Sequence, residues 1–131
     1  MPQIFISYKY SWMDKIELRK DLEFISSHFK SIWYSTYIVT KELQKWQEVE
    51  FTQEMIEESL EELKKSEIFF CYIKTQEKSE WMLVEFGYAK AINKKIVVFC
   101  KKWIETFFVK KLANTYIEYE DLNEITNITN F

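Results

Sequence analysis

The chain has 131 residues, 47% of them hydrophobic and 30% charged, with a net charge of −3. That size suits one domain over residues 1–131 with a real core. The balance is globular rather than disordered, and the acidity argues against nucleic acid as a general partner.

An aromatic share of 18% exceeds what such a core needs, so some rings are expected to line a groove. Cys71 and Cys100 each fall within an apolar run, which predicts buried reduced thiols rather than a disulfide or a metal site. A reducing compartment, and so a cytoplasmic location, is the corresponding expectation. Met1 to Tyr10 reads directly as a strand, so no signal peptide is expected. No apolar run approaches a membrane span, and no membrane partner is expected. Asn127-Ile128-Thr129 matches a glycosylation sequon, read as chance in a cytosolic chain. Gly87 is the single glycine, which excludes a glycine-rich phosphate cradle of the Walker or dinucleotide type.

In chain order, Ile4-Phe5-Ile6-Ser7-Tyr8 is a short apolar strand. Leu18, Leu22, Ile25 and Phe29 recur at helical spacing and predict an amphipathic helix over Met13–Phe29. Ser31–Ser35 reads as a second strand, and Tyr37–Trp46 as a loop running into the next helix. Glu48–Lys64 is the clearest helix, with Thr52, Met55, Ile56, Ser59, Leu60 and Leu63 on one face and a solvated acidic face opposite. Ile68–Ile73 is the continuous apolar run of a central parallel strand. A helix over Glu80–Asn93, a buried strand Ile96–Cys100, a short helix Trp103–Leu112 and a strand Thr115–Tyr119 follow. Asp121 to Phe131 closes the chain as a turn or helix.

The alternation predicts an α/β fold: a single flavodoxin-like three-layer domain, its five-stranded parallel sheet covered by helices on both faces. Ligands in such sheets bind beyond the carboxyl ends of the strands, where the strand order reverses beside strands one and three. Ser7, Tyr8, Lys9 and Tyr10 end strand one, and the helix carrying Glu85 follows strand three.

Glu85 shares one side of its helix with Trp81 and Tyr88. A carboxylate there is partly desolvated between flat rings; the plainer alternative is an exposed glutamate paired with Lys90 or Lys94. Gly87 costs a helix about 1 kcal/mol relative to Ala. It is expected to make room for a close backbone or ligand approach, or for tight packing against a strand.

Such a carboxylate suits cleavage of an N-glycosidic bond, because it can stabilise or trap the oxocarbenium-like sugar left behind. In NAD the nicotinamide leaves neutral and needs no general acid. That fits a chain whose only histidine, His28, lies far from the strand tips. Ser-His-Asp, Cys-His and zinc arrangements find no support. Trp33, Tyr34, Trp46 and Trp81 are candidates for stacking on a base, with a core role equally open to Trp33. Ser7 and Lys9 are candidates for phosphate or ribose hydroxyls.

With those residues in view, the chain resembles a TIR (Toll/interleukin-1 receptor) domain. Ile4-Phe5-Ile6-Ser7-Tyr8-Lys9 is similar to that family's opening strand. Ser79-x-Trp81-x-x-x-Glu85, leading through Ala89 and Ala91 to Ile96-Val97-Val98, is similar to its glutamate helix and following strand. The resemblance implies an NAD+ nucleosidase or ADP-ribosyl cyclase with NAD as substrate and no separate cofactor. It implies Glu85 as the catalytic carboxylate, Trp81 as a wall, and Ser7, Tyr8 and Lys9 approaching the nucleotide. Self-association, a signalling nucleotide made in antiviral defence and a separate effector are its further implications. A non-catalytic TIR adaptor acting by homotypic association is the alternative of another class. The stretch Tyr34 to Trp46 lacks the glycine and acidic residue usual in that family's loop, and Met82 stands where a cysteine is common.

A second resemblance competes. Glu85-Phe86-Gly87-Tyr88-Ala89-Lys90-Ala91 is similar to the Glu-x-Gly-Tyr-Ala-x-Ala motif of nucleoside 2-deoxyribosyltransferases, which use the glutamate as a nucleophile on a sugar's anomeric carbon. Those enzymes carry acidic residues after strand three, where this chain has Lys74, Thr75 and Gln76. On that difference the sequence favours NAD chemistry over base exchange.

Overall fold

Strands and helices alternate along the whole chain in a computed structural model that describes residues 1–131. The strands are β1 (Gln3–Tyr8), β2 (Ser35–Ile38), β3 (Ile68–Ile73), β4 (Lys95–Lys101) and β5 (Thr115–Tyr119). They form one parallel sheet in the order β2-β1-β3-β4-β5. The helices are α1 (Lys15–Ser31), α2 (Val39–Glu42), α3 (Gln53–Lys65), α4 (Glu80–Ala91) and α5 (Phe108–Leu112), with a 3-10 turn over Leu122–Asn127. The expected flavodoxin-like three-layer architecture is what the chain adopts.

The two-residue period of the strands sorts side chains onto the two faces. Ile4, Ile6 and Tyr8 join Phe70, Tyr72 and Phe99 beneath α1 and the 3-10 turn. Phe5, Phe69, Cys71, Val98 and Cys100 pack on the opposite face, against Leu63 of α3 and Met82, Phe86 and Ala89 of α4. Burial on both faces explains why β3 and β4 read as unbroken apolar runs. Both cysteines are buried free thiols.

Several local boundaries differ from the sequence reading. Ser31–Ser35 is not a strand: α1 continues through Ser31, Trp33 turns the chain at φ 76°, and β2 begins at Ser35. Hence Tyr37–Trp46, read as a loop, contains the end of β2 and all of α2. The third helix starts at Gln53 rather than Glu48, because the Thr52 hydroxyl caps it by accepting from the Met55 amide at 3.2 Å. The 48–51 segment is thereby released as a loop. Trp103 sits in a turn at φ 73° instead of opening a helix, which shortens α5 to Phe108–Leu112. His28 lies at the core edge with Nε2 2.6 Å from the Ile128 carbonyl oxygen, away from the strand tips. No helix is long and apolar enough to cross a membrane.

Candidate active site

β1 and β3 are neighbours, but the chain leaves β1 toward β2 and reaches β3 only after α3. The connections after the two strands therefore diverge and leave a crevice at their carboxyl ends. α4 enters this crevice at Ser79, whose side chain accepts from the Met82 amide at 3.3 Å and caps the helix. In the second turn of α4, Glu85 faces inward across the tip of β1.

Glu85 is only 3% exposed, which removes the reading of a surface glutamate paired with Lys90 or Lys94. Its Oε1 accepts a hydrogen bond from Ser7 Oγ at 2.7 Å. Its Oε2 has no partner, and neither does the equally buried Trp81 Nε1 beside it. Burial raises the Glu85 pKa to about 8, against the opposing pull of the Ser7 hydrogen bond and the nearby Trp81 N–H. That N–H favours the charged carboxylate without closing a hydrogen bond to it. At neutral pH the protonated acid is thus the major form and the carboxylate a minority.

A cavity of about 160 Å³ opens in front of Glu85. Trp81, Phe51 and Tyr10 supply rings, Val39 an aliphatic wall, and Tyr8, Thr40 and Gln44 polar atoms. The Phe51 and Trp81 rings lie 5.8 Å apart at 60°. Tyr8 is fixed rather than free: its hydroxyl is hydrogen-bonded to the Thr40 hydroxyl and accepts from the Thr40 amide at 2.8 Å. Burial pushes that phenol well above its ordinary pKa, so it stays neutral. Beyond Ser79 and Trp81 the cavity continues into a wider open groove with Lys9, Trp12, Lys78 and Val84 on its walls. Lys9 pairs there with Glu77 at 3.6 Å.

The structure thus gathers Ser7, Tyr8, Trp81 and Glu85 at one place and puts Lys9 in the adjoining groove. Tyr34 and Trp46 lie elsewhere. Tyr34 packs against Phe131, whose amide donates to its hydroxyl at 3.3 Å. Trp46 lies under the Arg19 guanidinium beside α1. Trp33 is neither core nor groove, at 79% exposed. Tyr88 packs into the core beneath α4 and does not reach the cavity. Gly87 faces open space, with nothing within 4 Å of where a Cβ would stand, so neither a close backbone approach nor tight strand packing explains it.

Thr40, Gln44 and Phe51 line the cavity without having been singled out in the sequence. No local signal marks them. Thr40 lies on α2, where the sequence reading had a loop, and Phe51 in the loop before α3, where it had a helix. Gln44 follows α2 in a stretch read as loop. The Gln44 amide donates to the Val49 carbonyl at 3.2 Å and braces that loop over the cavity.

No protein-family model matches this chain, and no curated protein matches it in sequence. Solved structures do match in fold. A 2-deoxyribosyltransferase from Bacillus psychrosaccharolyticus superposes with a TM-score of 0.73 at 17% identity, over 96% of this chain and 91% of that one. A CMP N-glycosidase from Clostridium botulinum gives 0.66 at 15% identity, over 95% and 94%. A 2-deoxyribosyltransferase from Leishmania mexicana gives 0.62 at 13%, over 76% and 65%.

These neighbours overturn the expectation of a TIR-type NAD-cleaving enzyme with a role in antiviral signalling. The likeness runs instead to proteins named for nucleoside and nucleotide chemistry, in keeping with the Glu85-Phe86-Gly87-Tyr88-Ala89 motif. The missing acidic residues after β3, which favour NAD over base exchange in the sequence, carry weight only if that segment reaches the cavity. That segment proves uninformative about the cavity: Lys74 turns away to bind Asp21 at 2.7 Å and Glu17 at 2.9 Å, and neither it, Thr75 nor Gln76 lines the cavity.

Proposed function

We propose that this protein breaks the N-glycosidic bond of nucleoside-type substrates, passing the sugar to water or to a second base. The observation that carries the reading is the half-used Glu85 carboxylate. One oxygen is held by Ser7 while the other is buried, unpartnered and at the wall of an aromatic cavity. The fold likeness to deoxyribosyltransferases and to a CMP N-glycosidase supports the same class of chemistry.

In this reading the base stacks against Phe51 and Tyr10, with the sugar beside Trp81 and its anomeric carbon at Glu85 Oε2. The ionised carboxylate forms an Oε2–C1′ bond as the C1′–N bond breaks. The bonding pair leaves with the base, which takes a proton from solvent through the open groove. Water, or the nitrogen of a second base, then attacks C1′, restores the carboxylate and gives up a proton. Ser7 keeps Oε1 from turning and lowers the cost of ionising a buried acid. Tyr8, locked by Thr40, acts as a neutral wall.

The test is to incubate purified protein with ribo- and 2′-deoxyribonucleosides and their 5′-monophosphates, with and without a second base. Free base and exchanged nucleoside are followed by chromatography. Release or exchange that falls by about a thousandfold or more in Glu85→Ala is expected. Turnover unchanged in Glu85→Ala would remove the assignment of Glu85, and no turnover of any substrate would remove the reading.

A further inference from the structure

We infer that the site selects a ribosyl over a 2-deoxyribosyl substrate, with the Trp81 indole N–H as the donor that reads the 2′-hydroxyl. This rests on the reading of the cavity as a site of N-glycosidic chemistry.

Two buried polar groups at the cavity are left without partners, the donor Trp81 Nε1 and the acceptor Glu85 Oε2. They stand four residues apart on α4, so their side chains are neighbours, and both residues line the same space. Folded proteins seldom leave buried donors and acceptors unpaired, and here a donor and an acceptor are orphaned side by side. A hydroxyl oxygen complements such a pair, since it accepts one hydrogen bond and donates another. A carbonyl satisfies only the donor and an ammonium only the acceptor.

Stereochemistry says which hydroxyl this is. In a β-nucleoside the base lies on the upper face of the sugar, and an in-line nucleophile must reach C1′ from the lower face. The ribose 2′-hydroxyl lies on that lower face, on the adjacent carbon. A carboxylate close enough to attack C1′ therefore meets the 2′-hydroxyl before any other sugar hydroxyl. The hydroxyl accepts from Trp81 Nε1 and donates to Glu85. A 2-deoxy sugar presents only C–H at that point and leaves the indole donor unpaired in a dry complex. Sites built to bond a substrate hydroxyl discriminate strongly against analogues that lack it.

The experiment compares kcat/KM for matched ribo and 2′-deoxy substrates, nucleosides and 5′-monophosphates alike, in the wild type and in Trp81→Phe. Phenylalanine keeps an aromatic wall and removes the N–H together with one ring of the indole, a loss of contact area that the ribo and deoxy series share. The expected wild-type preference for ribo substrates is on the order of a hundredfold. Trp81→Phe should lower ribo turnover far more than deoxy turnover and collapse the ratio to within about tenfold of unity. A wild type that cleaves both series equally, or a variant that loses both in proportion, overturns the inference.

The indole N–H resonance of Trp81, assigned by its loss in Trp81→Phe, supplies a readout independent of turnover. It should shift with a bound ribonucleoside and not with the matching 2′-deoxynucleoside. If nothing is cleaved but this selective shift is seen, the ribose reading survives and the enzymatic one fails. A shift with both, or with neither, overturns the ribose reading whatever the activity.

Discussion

Ser7 Oγ donates to Glu85 Oε1 at 2.7 Å and so joins the tip of β1 to the second turn of α4, two places 78 residues apart in the chain. This contact fixes the direction of the carboxylate and partly offsets the rise that burial imposes on its pKa. Ser7 is itself 1% exposed, so its hydroxyl has no water to turn to. The pair is a property of adjacent β1 and β3 and of a helix capped at Ser79.

Because the Ser7 hydrogen bond favours the ionised form, Ser7→Ala should raise the Glu85 pKa further above about 8. The nucleophile must be ionised, so turnover rises with pH through that value. In Ser7→Ala the rising limb should move to higher pH, with neutral activity falling more than the alkaline plateau. A pH–rate profile of both proteins decides it, and an unmoved limb would count against the role of Ser7.

Glu85 also makes stability depend on pH. Its folded pKa of about 8 lies above the ordinary 4.5, so the folded state binds the extra proton between those values. The Glu85 contribution therefore declines as pH rises from about 4.5 to about 8 and is flat beyond. Glu85→Gln keeps the shape and can still accept from Ser7, but never ionises. Its Tm should match the wild type near pH 4 and exceed it at pH 9. Equal melting curves at both pH values would contradict burial of an ionisable group.

Gly87 lies within α4 at negative φ and faces open space. With no backbone or side chain to be displaced, Gly87→Ala should stabilise the protein by about 1 kcal/mol, through helix propensity and a less flexible unfolded chain. Urea denaturation measures this directly. A loss of stability would mean that something approaches this face that the isolated chain does not show.

On the opposite layer, Asp21 accepts from Tyr72 Oη at 2.8 Å and pairs with Lys74 at 2.7 Å. Side-chain exposures of 14% and 17% leave this ion pair largely out of water. Asp21→Ala removes the partner of a phenol and a lysine at once and should cost about 2 kcal/mol in denaturant titration. Lys74 retains Glu17, so the loss should stay below that of a fully orphaned charge.

What was legible in the sequence followed burial on two faces. Ile68–Ile73 and Thr115–Tyr119 have the predicted bounds, and α4 begins at the predicted Glu80. β2 was misplaced because it is a short edge strand whose half-buried Ser35 and Thr36 give no apolar alternation. The helix-like run through Glu48–Phe51 misled for a related reason. Propensity favoured helix there, but the Thr52 cap stops it. Those two errors hid the wall of the cavity, since Thr40, Gln44 and Phe51 all lie between β2 and α3.

The amino-acid order alone was enough to settle an α/β sheet and to single out one carboxylate on α4, because period and composition are local properties. It pointed to the wrong chemistry where it leaned on Lys74–Gln76, whose side chains turn out to serve contacts away from the cavity. Only the tertiary structure decided that Glu85 is buried, that Ser7 takes one of its oxygens, and that Trp81 leaves the other unanswered. Those facts depend on the register that sets the tip of β1 against β3, a pairing across about sixty residues. The expected topology implies that pairing in outline, but no local pattern places it residue by residue.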